Sequence, residues 1–138
     1  MRNIKVVFYV GLPGSGKTTL LSKIKKGFVI DDFSLNIDKL NAFKASEEET
    51  LYIADPMLCT ITMEEAERSL SKMLFGLTIK ETEWIFFENN LENCWYNVKS
   101  RNDNREINKG FMEYLSKKYK ENYSLEKTIA VYLSLIHI

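Results

Sequence analysis

Gly11, four residues, then Gly16, Lys17 and Thr18: the spacing within GLPGSGKTTL is that of a loop built to hold phosphate. Glycines let the backbone curl until successive N–H groups point inward at phosphate oxygens. The helix that follows adds partial positive charge at its start. In such a loop Lys17 reaches the β- and γ-phosphates and the Thr18 hydroxyl sits on Mg²⁺. Gly11, Pro13, Gly14, Ser15, Gly16, Lys17, Thr18 and Thr19 are therefore expected to surround a nucleoside triphosphate, taken to be ATP with Mg²⁺.

Acids stand at the ends of three further apolar runs. Asp31 and Asp32 follow GFVI, Asp55 follows LYIA and Glu88 follows WIFF. An acid at a strand end is commonly a turn former. Several on one sheet edge beside a phosphate loop would instead encircle the γ-phosphate and its acceptor. One carboxylate can take the proton of an attacking hydroxyl, and another can hold Mg²⁺ through water. Asp31 is assigned as the base, with Asp32 its neighbour and rival. Asp55 is assigned to the metal side together with Thr18, and Glu88 competes for that place.

Asn97, Arg101 and Arg105 are spaced i, i+4, i+8 and share a face if the helix is continuous. A solvated face accounts for such spacing. Arginines folding over a triphosphate would instead neutralise charge developing during phosphoryl transfer.

These residues need a scaffold that brings strand ends together. Apolar runs alternate with amphipathic segments, the pattern of an α/β protein with a parallel sheet of about five strands flanked by helices. Strands are expected at 4–10, 28–31, 51–54, 84–87 and 128–133. The first is nearly continuous in apolar residues, as in a strand buried on both faces. Leu20, Leu21 and Ile24 form one face of the helix after the loop, which Lys25, Lys26 and Gly27 are expected to end. Ser34 is expected to cap a helix carrying Leu35, Ile37, Leu40 and Phe43. Thr62 to Glu65 spells a capping box for a helix burying Ala66, Leu70, Met73 and Leu74. Residues 91–101 and 107–119 complete the helices, the latter with Ile107, Phe111, Leu115 and Tyr119 every fourth residue. Ligands of such a sheet bind at the carboxyl ends of its strands.

The 138 residues suit one domain, 1–138, in which the apolar tail 134–138 (SLIHI) is set aside as a candidate non-native addition. Lys plus Arg equals Asp plus Glu at 19 each, so bulk charge does not advertise nucleic acid. Cys59 and Cys94 lack a CxxC partner and the sole histidine is His137, so buried reduced thiols are expected, not a zinc site. No apolar run reaches the ~18 residues of a membrane span and the N-terminus has no signal-peptide pattern. The expected setting is the cytoplasm, away from membranes.

The segments GLPGSGKTTL, GFVIDDFSL, YIADPMLC and FFENNLENCWYNVKSRNDNREI resemble, in order, the phage polynucleotide 5′-kinase domain and related small P-loop kinases acting on hydroxyls. The resemblance implies a P-loop NTPase fold and transfer of the ATP γ-phosphoryl group. It implies that Asp31 is the catalytic aspartate, Asp55 the aspartate ending the third strand, and Arg101 a lid arginine. The chain departs from that pattern at Asn97, where the family has another lid arginine. It departs again at Ile30 and at Phe33-Ser34, where the family has an arginine and a tyrosine-arginine pair. The expected acceptor is thus a hydroxyl of a nucleotide, a nucleic-acid 5′ end or a small metabolite. The alternative is a nucleotide-binding module with weak or no turnover, serving as a switch or partner-binding subunit.

Overall fold

Ile4, Val6, Phe8 and Val10 point to one side of the first strand, and Val7 and Tyr9 to the other, and both sets are buried. A strand that buries alternate residues on both faces belongs in the middle of a sheet covered on both sides. The computed structural model, which describes residues 2–101 and 107–133, bears this out. Strands β1 (Arg2–Val10), β2 (Phe28–Ile30), β3 (Thr50–Ala54) and β4 (Leu77–Phe86) form one sheet in the order β2-β3-β1-β4. All pairings are parallel, with Phe8 opposite both Ile53 and Trp84.

Helix α1 (Lys17–Leu21) lies on the Val7 and Tyr9 side, where Leu20, Leu21 and Ile24 pack with Ala54 and Phe87. The other side carries α2 (Lys39–Ala45), α3 (Met63–Met73), α4 (Leu91–Ser100) and α5 (Lys109–Asn122). There Phe43, Leu70, Leu74, Met112, Leu115 and Tyr119 close the larger core. The Tyr119 hydroxyl lies 2.7 Å from the Phe87 carbonyl, to which it donates, and 3.1 Å from that of Val10. Helix α5 is thereby tied to the carboxyl ends of β4 and β1 together.

The capping box forms as expected. Thr62 Oγ1 accepts the Glu65 N–H at 3.2 Å, and Glu65 Oε1 accepts the Thr62 N–H at 3.1 Å.

Four expectations are corrected. Among the described residues the sheet has four strands, not five, because residues 128–133 make only the single bridge of Ile129 to Phe87. Strand β4 begins at Leu77, well before Trp84, and pairs with β1 along its length. Helix α1 stops at Leu21 and continues as tighter turns through Ile24. Ser34 caps no long helix: Phe33–Leu35 is a 3₁₀ turn, α2 starts at Lys39, and Leu35 is 81% exposed. The Ser34 N–H is instead committed to the carboxylate of Asp55, and the Asn36 amide holds the Asp31 and Asp32 carbonyls at 3.0 and 3.1 Å.

Candidate active site

Parallel pairing sets the carboxyl ends of all strands on one edge, and the chemistry-bearing residues follow from it. Gly11 succeeds β1, Asp31 succeeds β2 and Asp55 succeeds β3. Asp31, Asp55 and the loop after Gly11 border a cavity of about 400 Å³ lined by Pro13, Gly14, Gly16, Lys17, Thr18, Thr19, Asp31, Asp32, Asp55 and Arg101, with Ser34, Leu35, Pro56, Met57, Ile107 and Phe111. Gly11 and Ser15 are buried beneath it.

Two glycines make the loop possible. Gly14 and Gly16 have φ of 83° and 106°, a region other residues rarely enter. A Cβ on Gly14 would also lie 2.4 Å from the Cys94 carbonyl of α4, so the loop touches that helix with bare backbone. The first bond of α1 runs from the Leu20 N–H to the Gly16 carbonyl at 3.1 Å. The N–H groups of residues 16–19 precede it and have no partner within the helix.

Lys17 is buried. Its Nζ donates to the carbonyls of Gly11 at 2.6 Å and Leu12 at 2.8 Å and to Ser15 Oγ at 3.2 Å. Burial lowers its pKa to about 8. Burial pushes the Cys59 and Cys94 thiols up to about 12, against the pull of the Lys17 charge. Both cysteines are free and buried, as expected of inert thiols.

Across the cavity the Thr18 hydroxyl donates to Asp31 Oδ2 at 2.6 Å, and Asp31 Oδ1 accepts the Asp32 N–H at 2.9 Å. Asp32 takes a left-handed conformation, φ 48°, which turns the chain sharply after β2. Asp55 is buried and spans two loops, accepting the Met57 N–H at 2.7 Å on Oδ1 and the Ser34 N–H on Oδ2.

Two sequence candidates leave the cavity. Glu88 accepts the Val131 N–H at 2.7 Å and its own N–H goes to the Ile129 carbonyl, so it anchors the C-terminal segment. Asn97 is buried, and its Nδ2 donates to the Gly14 carbonyl at 2.9 Å and the Tyr132 carbonyl at 2.8 Å. It clamps the loop from below and does not reach over it. Arg101 lines the cavity, but α4 ends at Ser100, so it shares no continuous helical face onward, and Arg105 lies outside the described residues. Leu35, Met57, Ile107 and Phe111 were legible only as core or turn positions, yet they supply the apolar wall. The signal for two of them was their place just past the acids ending β2 and β3.

No protein-family model matches the chain. "Uncharacterized protein R277" of Acanthamoeba polyphaga mimivirus is 32% identical over 126 residues, 88% of this chain and 87% of that protein. The chain belongs to the family of that mimivirus protein. Among the described residues no helix is long and apolar enough to cross a membrane.

Proposed function

We propose that this chain is a P-loop kinase that moves the γ-phosphoryl group of ATP to a hydroxyl. The observation that carries the reading is the Thr18–Asp31 pair, 2.6 Å apart, in one cavity with the loop from Gly11 to Thr18. A nucleotide switch needs the loop and the threonine. An acid beside the loop threonine serves Mg²⁺ in such switches as well, so the reading takes from the kinase resemblance that Asp31 faces the acceptor. The strand order β2-β3-β1-β4, with the loop directly after β1, agrees with a P-loop NTPase fold in this reading.

The donor set suits Mg²⁺, which keeps several waters and takes few protein ligands. The absence of a cluster of three acidic, histidine or cysteine side chains among the described residues is compatible with that habit. The Thr18 hydroxyl would hold it directly, and Asp55 through water, since both Asp55 oxygens already accept backbone N–H groups. When bound, Mg²⁺ offsets charge on the β- and γ-phosphates.

The chain's own residues do the rest. The N–H groups of the loop cradle the phosphates. Lys17 exchanges its bonds to the Gly11 and Leu12 carbonyls for phosphate oxygens. Asp31, released from the Thr18 hydroxyl, accepts the acceptor's proton, and Arg101 meets charge growing on the transferred group.

The test is transfer of label from γ-labelled ATP with Mg²⁺, using the full chain against nucleosides, 5′-hydroxyl oligonucleotides and common metabolites. A labelled product, abolished by Asp31→Asn, supports the kinase. Bound ATP with no labelled product from any acceptor gives the site to the nucleotide-binding module.

A further inference from the structure

A second cavity of about 240 Å³ opens beside the first, between the turns that follow β2 and β3 and helix α3. The two share Ser34, Asp55 and Met57, so a single wall of side chains separates them. Its lining includes none of residues 11–19, which puts it on the side of the site away from the phosphate loop. Phe8, Phe33, Ile53, Leu70 and Met73 make it apolar. Lysine, arginine and histidine are absent from its lining, and its one ionisable group is Asp55, which is buried and already bonded to two backbone N–H groups.

We infer that this cavity receives the body of the phosphoryl acceptor, and that the acceptor is a small uncharged alcohol bearing an aromatic ring. The inference rests on the kinase reading and narrows its acceptor. An anionic body would enter a space that offers no counter-charge and one carboxylate, a costly placement. A cavity of about 150 Å³ holds a benzene ring, so 240 Å³ leaves room for a substituted ring. The hydroxyl would project past Asp55 and Ser34 into the first cavity, where Asp31 lies. There its oxygen bonds to the γ-phosphorus, the bond from that phosphorus to the β–γ bridging oxygen breaks, and the electron pair leaves with ADP. The hydroxyl proton goes to Asp31.

The experiment follows amide chemical shifts of the full labelled chain with Mg²⁺·ATP, then with Mg²⁺ and a non-transferable ATP analogue plus benzyl alcohol, 4-(hydroxymethyl)benzoate or a 5′-hydroxyl oligothymidylate. Benzyl alcohol should shift the amides of Met57, Ala66 and Ser69 and bind at least about tenfold more tightly than its carboxylated analogue. Ser69 is exposed on α3 and lines the cavity, so filling it should not impair folding. Ser69→Phe should abolish the benzyl alcohol shifts, and Ser69→Lys should raise the affinity of the carboxylated analogue. Tighter binding of the analogue or the oligonucleotide, or shifts indifferent to Ser69→Phe, overturns the inference. So does the absence of shifts from benzyl alcohol in protein that binds Mg²⁺·ATP. Failure to bind Mg²⁺·ATP strikes the kinase reading and is seen separately, through shifts of residues 14–19.

Discussion

The Thr18 hydroxyl donates to Asp31 Oδ2 across 2.6 Å, which joins the start of α1 to the end of β2. In the kinase reading, one bond thus links the hydroxyl proposed for the metal and the carboxylate proposed for the acceptor's proton. Asp31→Asn keeps the shape but removes the base, and transfer should fall by about 10²–10⁴. Affinity for Mg²⁺·ATP should change far less, because the proposed reading gives the phosphates to the loop. Asp32→Asn should be milder, since the Thr18 hydroxyl is directed to Asp31. Single-turnover rates on both variants decide it: a silent Asp31→Asn with a damaging Asp32→Asn moves the base one residue along.

In the kinase reading, Lys17 should make nucleotide affinity depend on pH. Its pKa lies near 8 because burial disfavours the charged form, and a triphosphate binds that charged form. Affinity should be level below pH 8 and weaken above it, by up to about tenfold per pH unit. Calorimetry between pH 7 and 9.5 measures this, and Lys17→Arg should abolish the slope.

The same lysine bears on stability. Its folded pKa is lowered from 10.5 to about 8, so the unfolded chain binds more protons between those values. Its contribution to stability therefore rises with pH across that window. Cys59 and Cys94 run the other way, raised from 9.0 to about 12, and stability they confer below pH 9 is lost as pH climbs towards 12. Lys17→Ala strips the Gly11 and Leu12 carbonyls of a buried donor, at a cost of about 1–3 kcal/mol. Denaturant melts at pH 7 check the size, and melts at pH 10 should show a larger deficit. An unchanged midpoint at both pH values would mean that water replaces the amine at no cost.

Asn97 and Gly14 should behave as one unit. Asn97→Asp keeps the volume but removes the donor that serves the Gly14 and Tyr132 carbonyls at 2.9 and 2.8 Å. Gly14→Ala drives a methyl group against the Cys94 carbonyl at 2.4 Å, at a position with φ of 83°. Each should weaken Mg²⁺·ATP binding and lower stability, Asn97→Asp by about 1–3 kcal/mol. The double variant should cost less than the sum, because both loosen the same contact of loop and α4. Additive losses would mean that the clamp and the close approach act separately.

The parts of the molecule legible in advance are those where local pattern and tertiary role coincide. The continuous apolar run of β1 has no other place than a sheet centre, and the Thr62–Glu65 box is satisfied within its own turn. Strand β4 was read short because its residues 77–83, at the sheet edge, include Lys80, Glu81 and Glu83, and Lys5 pairs with both glutamates. Edge strands use charge in that way, and it hides them from a reading by hydrophobicity. Residues 128–133 look like a strand, but beyond the single bridge of Ile129 to Phe87 their partners are side chains: Glu88, Asn93 and Asn97 take Val131 and Tyr132. Asn97 was misjudged for a related reason. Helical spacing groups residues on a face without saying whether that face looks into the cavity or under the loop.

In the kinase reading, Arg101 is the residue proposed to act on the transferred group. It stands at the end of α4, where φ of −72° and ψ of 141° turn the chain out of the helix, and it lines the cavity with Lys17 and Asp31. A guanidinium can give two parallel hydrogen bonds to phosphoryl oxygens, and lysine's point charge cannot copy that fork. Arg101→Lys should therefore lower kcat more than it raises KM for ATP, the mark of an interaction made in the transition state. Arg105→Lys should be milder, because only Arg101 matches the lid position in the kinase resemblance. Steady-state kinetics on both variants, with an acceptor found in the labelled-ATP screen, supplies the measurement. A rise in KM alone would make Arg101 a ground-state phosphate contact, and wild-type kinetics would leave it a bystander at the rim.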